Sequence, residues 1–285
     1  MNTAKRLFGI NALAAWFGYG VADIMPKVCV VSIFKNEKHA LEEWINHYTK
    51  EGVDHFFLTD NGSDDGYIEI LDKYIKNGTV SLNINPERHQ QVEHLNFFIN
   101  QVKTYDWAIV VDLDEFLYAR KKYNTIKQYL SSLHKNIKQI YVPWKMFGSN
   151  GHVNQNESII HFFLKRNIYN NRVLINGKCI TRTKKLKKID IHKSRTNANG
   201  LIITSDGNVK QHDDNNFVYT SEEMLKDSCL HLNHYAIQSW EWFSKVKMTR
   251  GDASSSSSDH IRNINYFDAY DNNIVLDDEL HNKEY

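Results

Sequence analysis

Asp112 and Asp114 close an apolar run, Ala108-Ile109-Val110-Val111, within Asp112-Leu113-Asp114-Glu115-Phe116. In extended chain, residues two apart point to the same side, so both carboxylates face one ligand beyond the strand end. Two acids that close repel unless a cation joins them. The pair is therefore a natural Mg2+ or Mn2+ site, with a diphosphate completing the oxygen shell; an exposed acidic turn is the bland alternative. Asp60 ends a second apolar run and opens the turn Asp60-Asn61-Gly62-Ser63-Asp64-Asp65. Its carboxylate can accept from a nucleobase imide or ribose hydroxyl, or else cap its own Asx turn. Lys245, Lys247 and Arg250 follow His234 closely and offer cations to a departing diphosphate, or form a solvated helix face. Trp144, beside Phe147 and Gly148, offers a ring to the apolar face of an acceptor sugar, or packs in the core.

The elements that must position these groups follow a strand–helix rhythm. Residues 28–34 (VCVVSIF) read as a strand buried on both faces. Residues 39–51 place Leu41, Trp44, Ile45 and Tyr48 at helical spacing, and Gly52 closes that helix. Strands are expected at 55–58, 79–84 and 107–111, with helices at 67–77 and 93–104 between them. Polar clusters at the strands' C-terminal ends describe an α/β fold with a mostly parallel sheet and a ligand crevice along those ends. After Leu117 come a helix at 126–135, a strand at 139–142 and an aromatic, loop-rich region; the serine run 254–258 reads as a flexible loop.

Composition bounds the class. The 285 residues are 41% hydrophobic and 24% charged, as in globular proteins, and only 13 Gly and 3 Pro exclude a collagenous or linker-like chain. Six Trp, 15 Tyr and 14 Phe are too many for disorder and enough to line a stacking pocket. Cys29, Cys179 and Cys229 are odd in number and unpaired in spacing, which argues against a disulfide scaffold or structural zinc and for a reducing, cytoplasmic setting. Lys5 and Arg6 precede residues 7–22, apolar but for Asn11 and shorter than a bilayer span. Residues 1–26 therefore read as an N-terminal extension or interfacial helix rather than a membrane span. The net charge of +1 is a cancellation. Residues 1–120 carry −6, residues 121–200 carry +15 and residues 201–285 carry −8. The basic segment, if not simply a solvated face, points to an anionic partner: a charged glycan acceptor, or a membrane surface bearing a lipid-linked one. No nucleic-acid module accompanies it.

Several motifs occur in one order. They are Val31-Ser32-Ile33-Phe34-Lys35-Asn36-Glu37, Glu43-Trp44-Ile45-x-His47-Tyr48, Gly52-Val53-Asp54-His55-Phe56 and Asp60-Asn61-x-Ser63-x-Asp65. Trp107 with Asp112-x-Asp114-Glu115-Phe116, Pro143-Trp144-Lys145-x-Phe147-Gly148-Ser149 and Lys178-x-Ile180 continue the series. His234-Tyr235-Ala236-Ile237-Gln238-Ser239, Phe243, Lys245, Lys247 and Arg250-Gly251-Asp252-Ala253 complete it. Over about 28–253 the chain resembles the GT-A-fold glycosyltransferases of the family 92 / family 2-like group. The resemblance implies a GT-A, Rossmann-like fold with a loop-rich C-terminal acceptor region. It divides the chain into a domain at 27–253, with a nucleotide-binding half (27–120) and an acceptor half (121–253), and a loop and tail at 254–285. It also implies a metal-dependent, inverting enzyme moving a hexose, galactose among the candidates, from a UDP-sugar to a glycan. Asp114 matches a direct metal ligand, Asp112 a position shared by ribose and metal, and Asp60 a nucleotide contact. His234 matches a further metal ligand, with His192 and His231 as competitors and a packed structural histidine as the alternative. The general base stays open among Glu115, Asp206, Asp213 and Asp214. A haloacid-dehalogenase-like phosphohydrolase with Asp112 as nucleophile, and a non-catalytic glycan-binding relative, are the rivals.

Overall fold

Val28–Phe34 (β1) has no exposed residue, and its alternate side chains enter two cores. Val28, Val30 and Phe34 join one apolar layer, Cys29, Val31 and Ile33 the other. Such a run has no polar face for water, so both sides of its sheet must be covered. The structure, a computed structural model, describes residues 25–210, 217–250 and 262–285.

His55–Asp60 (β2), Val80–Ile84 (β3) and Trp107–Val110 (β4) lie parallel to β1 in the order β3-β2-β1-β4. Lys38–Lys50 (α1) and Ile68–Lys76 (α2) cover one face through Leu41, Trp44 and Leu71. Gln91–Asn96 (α3) and Ile99–Val102 (α4), two short helices where one was expected, cover the other through Leu95 and Val102.

The second half extends the same sheet instead of ending it. Glu115–Ala119 (β5) follows the Asp112-x-Asp114 turn directly, and Ile137–Met146 (β6) is longer than its apolar core suggests. Lys165–Arg166 (β7), Val173–Arg182 (β8), Leu186–Lys188 (β9), Arg195–Thr196 (β10) and Leu201–Thr204 (β11) come next. Phe217–Thr220 (β12), Leu230–His234 (β13) and Val275–Leu276 (β14) complete the strands. The ten-stranded sheet runs β3-β2-β1-β4-β8-β6-β13-β5, with β11 on β6 and β12 on β8. Eight of its strands share one direction and only β5 and β8 oppose it, so the sheet is mostly parallel as expected.

The tail packs as part of the fold. Residues 262–285 fold onto the body, with a helix at Ile264–Tyr270, β14 paired to β7, and Leu280 buried. Charge explains the docking: Asp277 meets the fully buried Lys145 ammonium at 2.8 Å, and Glu279 meets Arg120 at 2.7 Å. Residues 1–24 and the serine run 254–258 lie outside the described residues. Among the described residues no helix is long and apolar enough to cross a membrane.

Candidate active site

β4 stops at Val110 and β5 starts at Glu115, so Asp112 and Asp114 occupy the turn between them, at the sheet end where β1 and β2 also finish. The turn is held by its own backbone and by α1. The Glu115 N–H donates to Asp112 O at 3.1 Å, and the Asp112 N–H to Glu115 Oε2 at 3.0 Å. Trp44 Nε1 lies 3.1 Å from the carbonyl oxygens of both Asp112 and Glu115, and the Tyr48 hydroxyl donates to Glu115 O at 3.0 Å. The buried aromatic face of α1 therefore fixes the backbone and leaves the aspartate side chains for chemistry.

Asp114 is buried, with Lys247 Nζ 2.5 Å from Oδ2 and His234 Nε2 3.6 Å from Oδ1. Burial alone would raise its pKa, but Lys247 and His234 hold it well below the usual carboxylate range. Asp112 is the more open acid; its Oδ2 lies 2.9 Å from Lys178 Nζ, which also stands 3.5 Å from Glu115 Oε2. Each aspartate thus has its own ammonium.

Among the described residues no group of three or more His, Cys, Asp or Glu is placed to hold a metal ion; two donors, Asp114 and His234, face each other. The 3.6 Å between Asp114 Oδ1 and His234 Nε2 is too long for a hydrogen bond but is a spacing two ligands of one small cation adopt. His234 Nδ1 is buried without a hydrogen-bond partner among the described residues, so the ring's polar engagement is all toward Asp114.

His231 does not compete. An odd offset along β13 turns it to the opposite face of the sheet, where Nδ1 lies 3.0 Å from Glu279. His192 does reach the neighbourhood, its ring 5.6 Å from Trp144, but Nδ1 is engaged by Gly177 O at 3.0 Å. Trp144 sits between the rings of His192 and His234, 4.5 Å from the latter, and donates from Nε1 to Glu115 Oε1 at 2.8 Å.

The three late cations separate. Lys247 reaches Asp114, and Arg250 pairs with Glu37 at 2.8 Å beside the end of β1. Both cations lie near the Trp242 ring, at 5.1 and 5.7 Å. Lys245 is corrected: it is 71% exposed and pairs with Glu241 one turn earlier. Residues two apart on a helical segment face nearly opposite sides, so with Lys247 turned inward onto Asp114, Lys245 points to solvent. Asp60 ends β2 at the site's edge, buried, with Oδ1 accepting the Ser63 N–H at 2.9 Å in the Asx turn.

Two proposed bases are also corrected. Glu115 is fully buried, and both its oxygens serve the fold through Trp144, the Asp112 N–H and Lys178. Burial lifts its carboxyl to about 7, with Lys178 opposing. Asp206 Oδ2 accepts from Asn208 Nδ2 at 2.7 Å, and the adjacent Ser205 carbonyl binds the Cys229 N–H, at the end of β13 away from His234. Asp213 and Asp214 lie outside the described residues. Lys178, noted in the sequence only within the motif Lys178-x-Ile180 and given no role there, is brought to the site by the buried stretch Gly177–Thr181 of β8. Nor does the basic segment form one acceptor-side face. Lys145, Arg166 and Lys178 are buried in ion pairs, while the 184–188 lysines lie at the far end of the sheet.

The sequence model of glycosyltransferase family 92 matches residues 27–266. The chain belongs to that family, and its fold is α/β with a mostly parallel central sheet. A glycosyltransferase family 92 protein of Ricinus communis is 23% identical over 77% of this chain and 37% of its own length. Another, from Arabidopsis thaliana, is 30% identical over 44% of this chain and 22% of its own length. The chain thus spans well under half the length of the curated relatives it matches. Among solved structures, GalNAc-T7 with UDP, GalNAc and Mn2+ aligns at TM-score 0.43 and 13% identity, covering 80% of this chain and 49% of that one. S. aureus TarS 1–349 with UDP-GlcNAc aligns at 0.40 and 18%, covering 70% and 64%.

Proposed function

We propose that the protein is a metal-dependent, inverting glycosyltransferase that moves a hexose, galactose among the candidates, from a UDP-sugar to a glycan acceptor. The observation carrying this reading is the convergence of Asp112, Asp114, His234 and Lys247 at the end of β4, on a backbone fixed by α1. Asp114 and His234 would hold the cation, with Asp112 beside it. When bound, it neutralises charge on the leaving diphosphate.

The chain's own groups do the rest. Lys247 and Arg250 stand ready to stabilise the nucleoside diphosphate as the anomeric C–O bond breaks. Asp60 borders the nucleoside end. Trp144, braced by Glu115, offers its ring to the acceptor sugar.

The test is release of nucleoside diphosphate from a panel of nucleotide sugars with and without Mn2+. Metal-dependent release from a UDP-hexose is expected. No turnover with any donor, together with nucleotide binding indifferent to metal, would leave a non-catalytic glycan binder.

A further inference from the structure

β1 enters the sheet at the end opposite the site, and a basic surface lies beside that entry. The Asp106 N–H donates to Lys27 O at 2.8 Å, and the Thr183 N–H donates to Asp106 O at 3.1 Å. From Thr183 the chain turns into β9, placing Lys184, Lys185, Lys187 and Lys188 in solvent while Leu186 and Ile189 anchor the hairpin in the core. Lys103, just after α4, joins Lys184, Lys185 and Lys187 around a cleft of about 720 Å3. Arg195 on the paired strand β10 is exposed as well. Among the described residues none of these six cations forms an ion pair; the acids at this end are the half-buried Asp190 and the exposed Asp106, whose carboxylate accepts the Lys27 N–H at 2.8 Å.

Unneutralised charge this dense is costly to keep together unless something anionic answers it. The sequence indicates what. Residues 7–22, apolar but for Asn11 and led by Lys5 and Arg6, join the fold through Met25 and Lys27 at this same end. A polybasic face beside the attachment of an apolar stretch too short to span supplies the two signals that peripheral attachment to an anionic bilayer requires. We infer that this end of the sheet, centred on Lys103, Lys184, Lys185 and Lys187, docks on a membrane surface rich in anionic lipid. The inference is independent of the reaction at the other end.

Co-sedimentation of the full chain with vesicles tests it. Binding to phosphatidylglycerol–phosphatidylcholine vesicles is expected, falling as salt rises from about 50 to 500 mM. The combined variant Lys103→Glu, Lys184→Glu, Lys187→Glu should bind at least about tenfold more weakly with an unchanged melting temperature. It leaves Lys185 alone because that residue sits at φ 69° in the turn. Should the triple variant fold poorly, Lys184→Gln with Lys187→Gln is the milder pair, expected to weaken binding in the same direction. Equal binding to pure phosphatidylcholine, or undiminished binding by a folded variant, would overturn the proposal. So would binding to heparin with none to vesicles, which would assign the face to a soluble polyanion.

Discussion

Lys247 Nζ lies 2.5 Å from Asp114 Oδ2, across 133 residues of sequence. The contact joins the last strongly basic segment to the acid turn, and only one of the neighbouring lysines makes it. Lys247→Met is expected to lower turnover of a UDP-sugar by about 100-fold, the usual loss when one buried charge-stabilising donor is removed. Lys245→Met should leave it within about twofold, because a solvated i,i+4 pair contributes little. Equal losses in both variants would refute the assignment; nucleoside diphosphate release is the assay.

Lys178 answers two carboxylates at once. Burial works against its charge, but Asp112 and Glu115 outweigh that and raise its pKa. Lys178→Met strands Glu115 in the core and should cost about 3–5 kcal/mol in urea unfolding. Adding Glu115→Gln to that variant should recover part of the loss, since a neutral amide no longer needs the cation. A purely additive double variant would separate the two residues.

The buried histidines and the tail carboxylates should each cost stability in acid, in two separate pH ranges. Burial lowers His47 to about 3 and His231 to about 4, below the value near 6.5 of an unfolded histidine. The unfolded chain therefore binds protons the folded one refuses, so the histidines' share of the stability falls as pH drops below about 6.5, opposed between about pH 7 and 4.5 by Glu115, whose raised carboxyl is protonated first in the folded state. For His231 the loss reaches on the order of 3 kcal/mol by pH 4. Asp277 and Glu279, both depressed although burial opposes it, add a second loss below the ordinary carboxylate range. His47→Asn should flatten the first stage between pH 6.5 and 4; an unchanged slope would exclude it.

The tail should behave as part of the core. Lys145 is fully buried, and Asp277 stands 2.8 Å from it and 2.5 Å from Arg166. Asp277→Ala leaves both cations short of a partner and should cost about 3–5 kcal/mol by thermal or urea unfolding. A change below about 1 kcal/mol would show the tail to be dispensable.

β1, β2 and β4 with α1 and α2 were legible because each is a continuous apolar run or an amphipathic stretch with a clear stop, whereas the single helix expected at 93–104 is two short ones. The second half was not. β5 opens with Glu115, whose charge disguises a buried strand, and β8 carries Lys178 in its centre. Local pattern reads such residues as loop, because only the partners that neutralise them make their burial affordable. The same cause hid the tail, where Asp277 and Glu279 look like solvent-facing acids until Lys145 and Arg120 are in view. Within the site, Asp112, Asp114, Lys247 and Arg250 could be picked by type and spacing. Separating Lys247 from Lys245 needed the side of the helical segment that packs on the acid turn, which spacing alone does not give. The role of Trp44 and Tyr48 was hidden differently, since they read as ordinary core on α1 and touch the site only through backbone carbonyls.

The shared direction of β1 and β4 sets a standoff. With the lysine hairpin on a bilayer, the aspartates sit above the headgroups by the length of β1, seven residues or about 20 Å. If β1 stands along the bilayer normal, an acceptor rooted in the same bilayer would have to present its hydroxyl at that height. The strand length would act as a ruler, and acceptor choice would be read as reach before it is read as sugar identity.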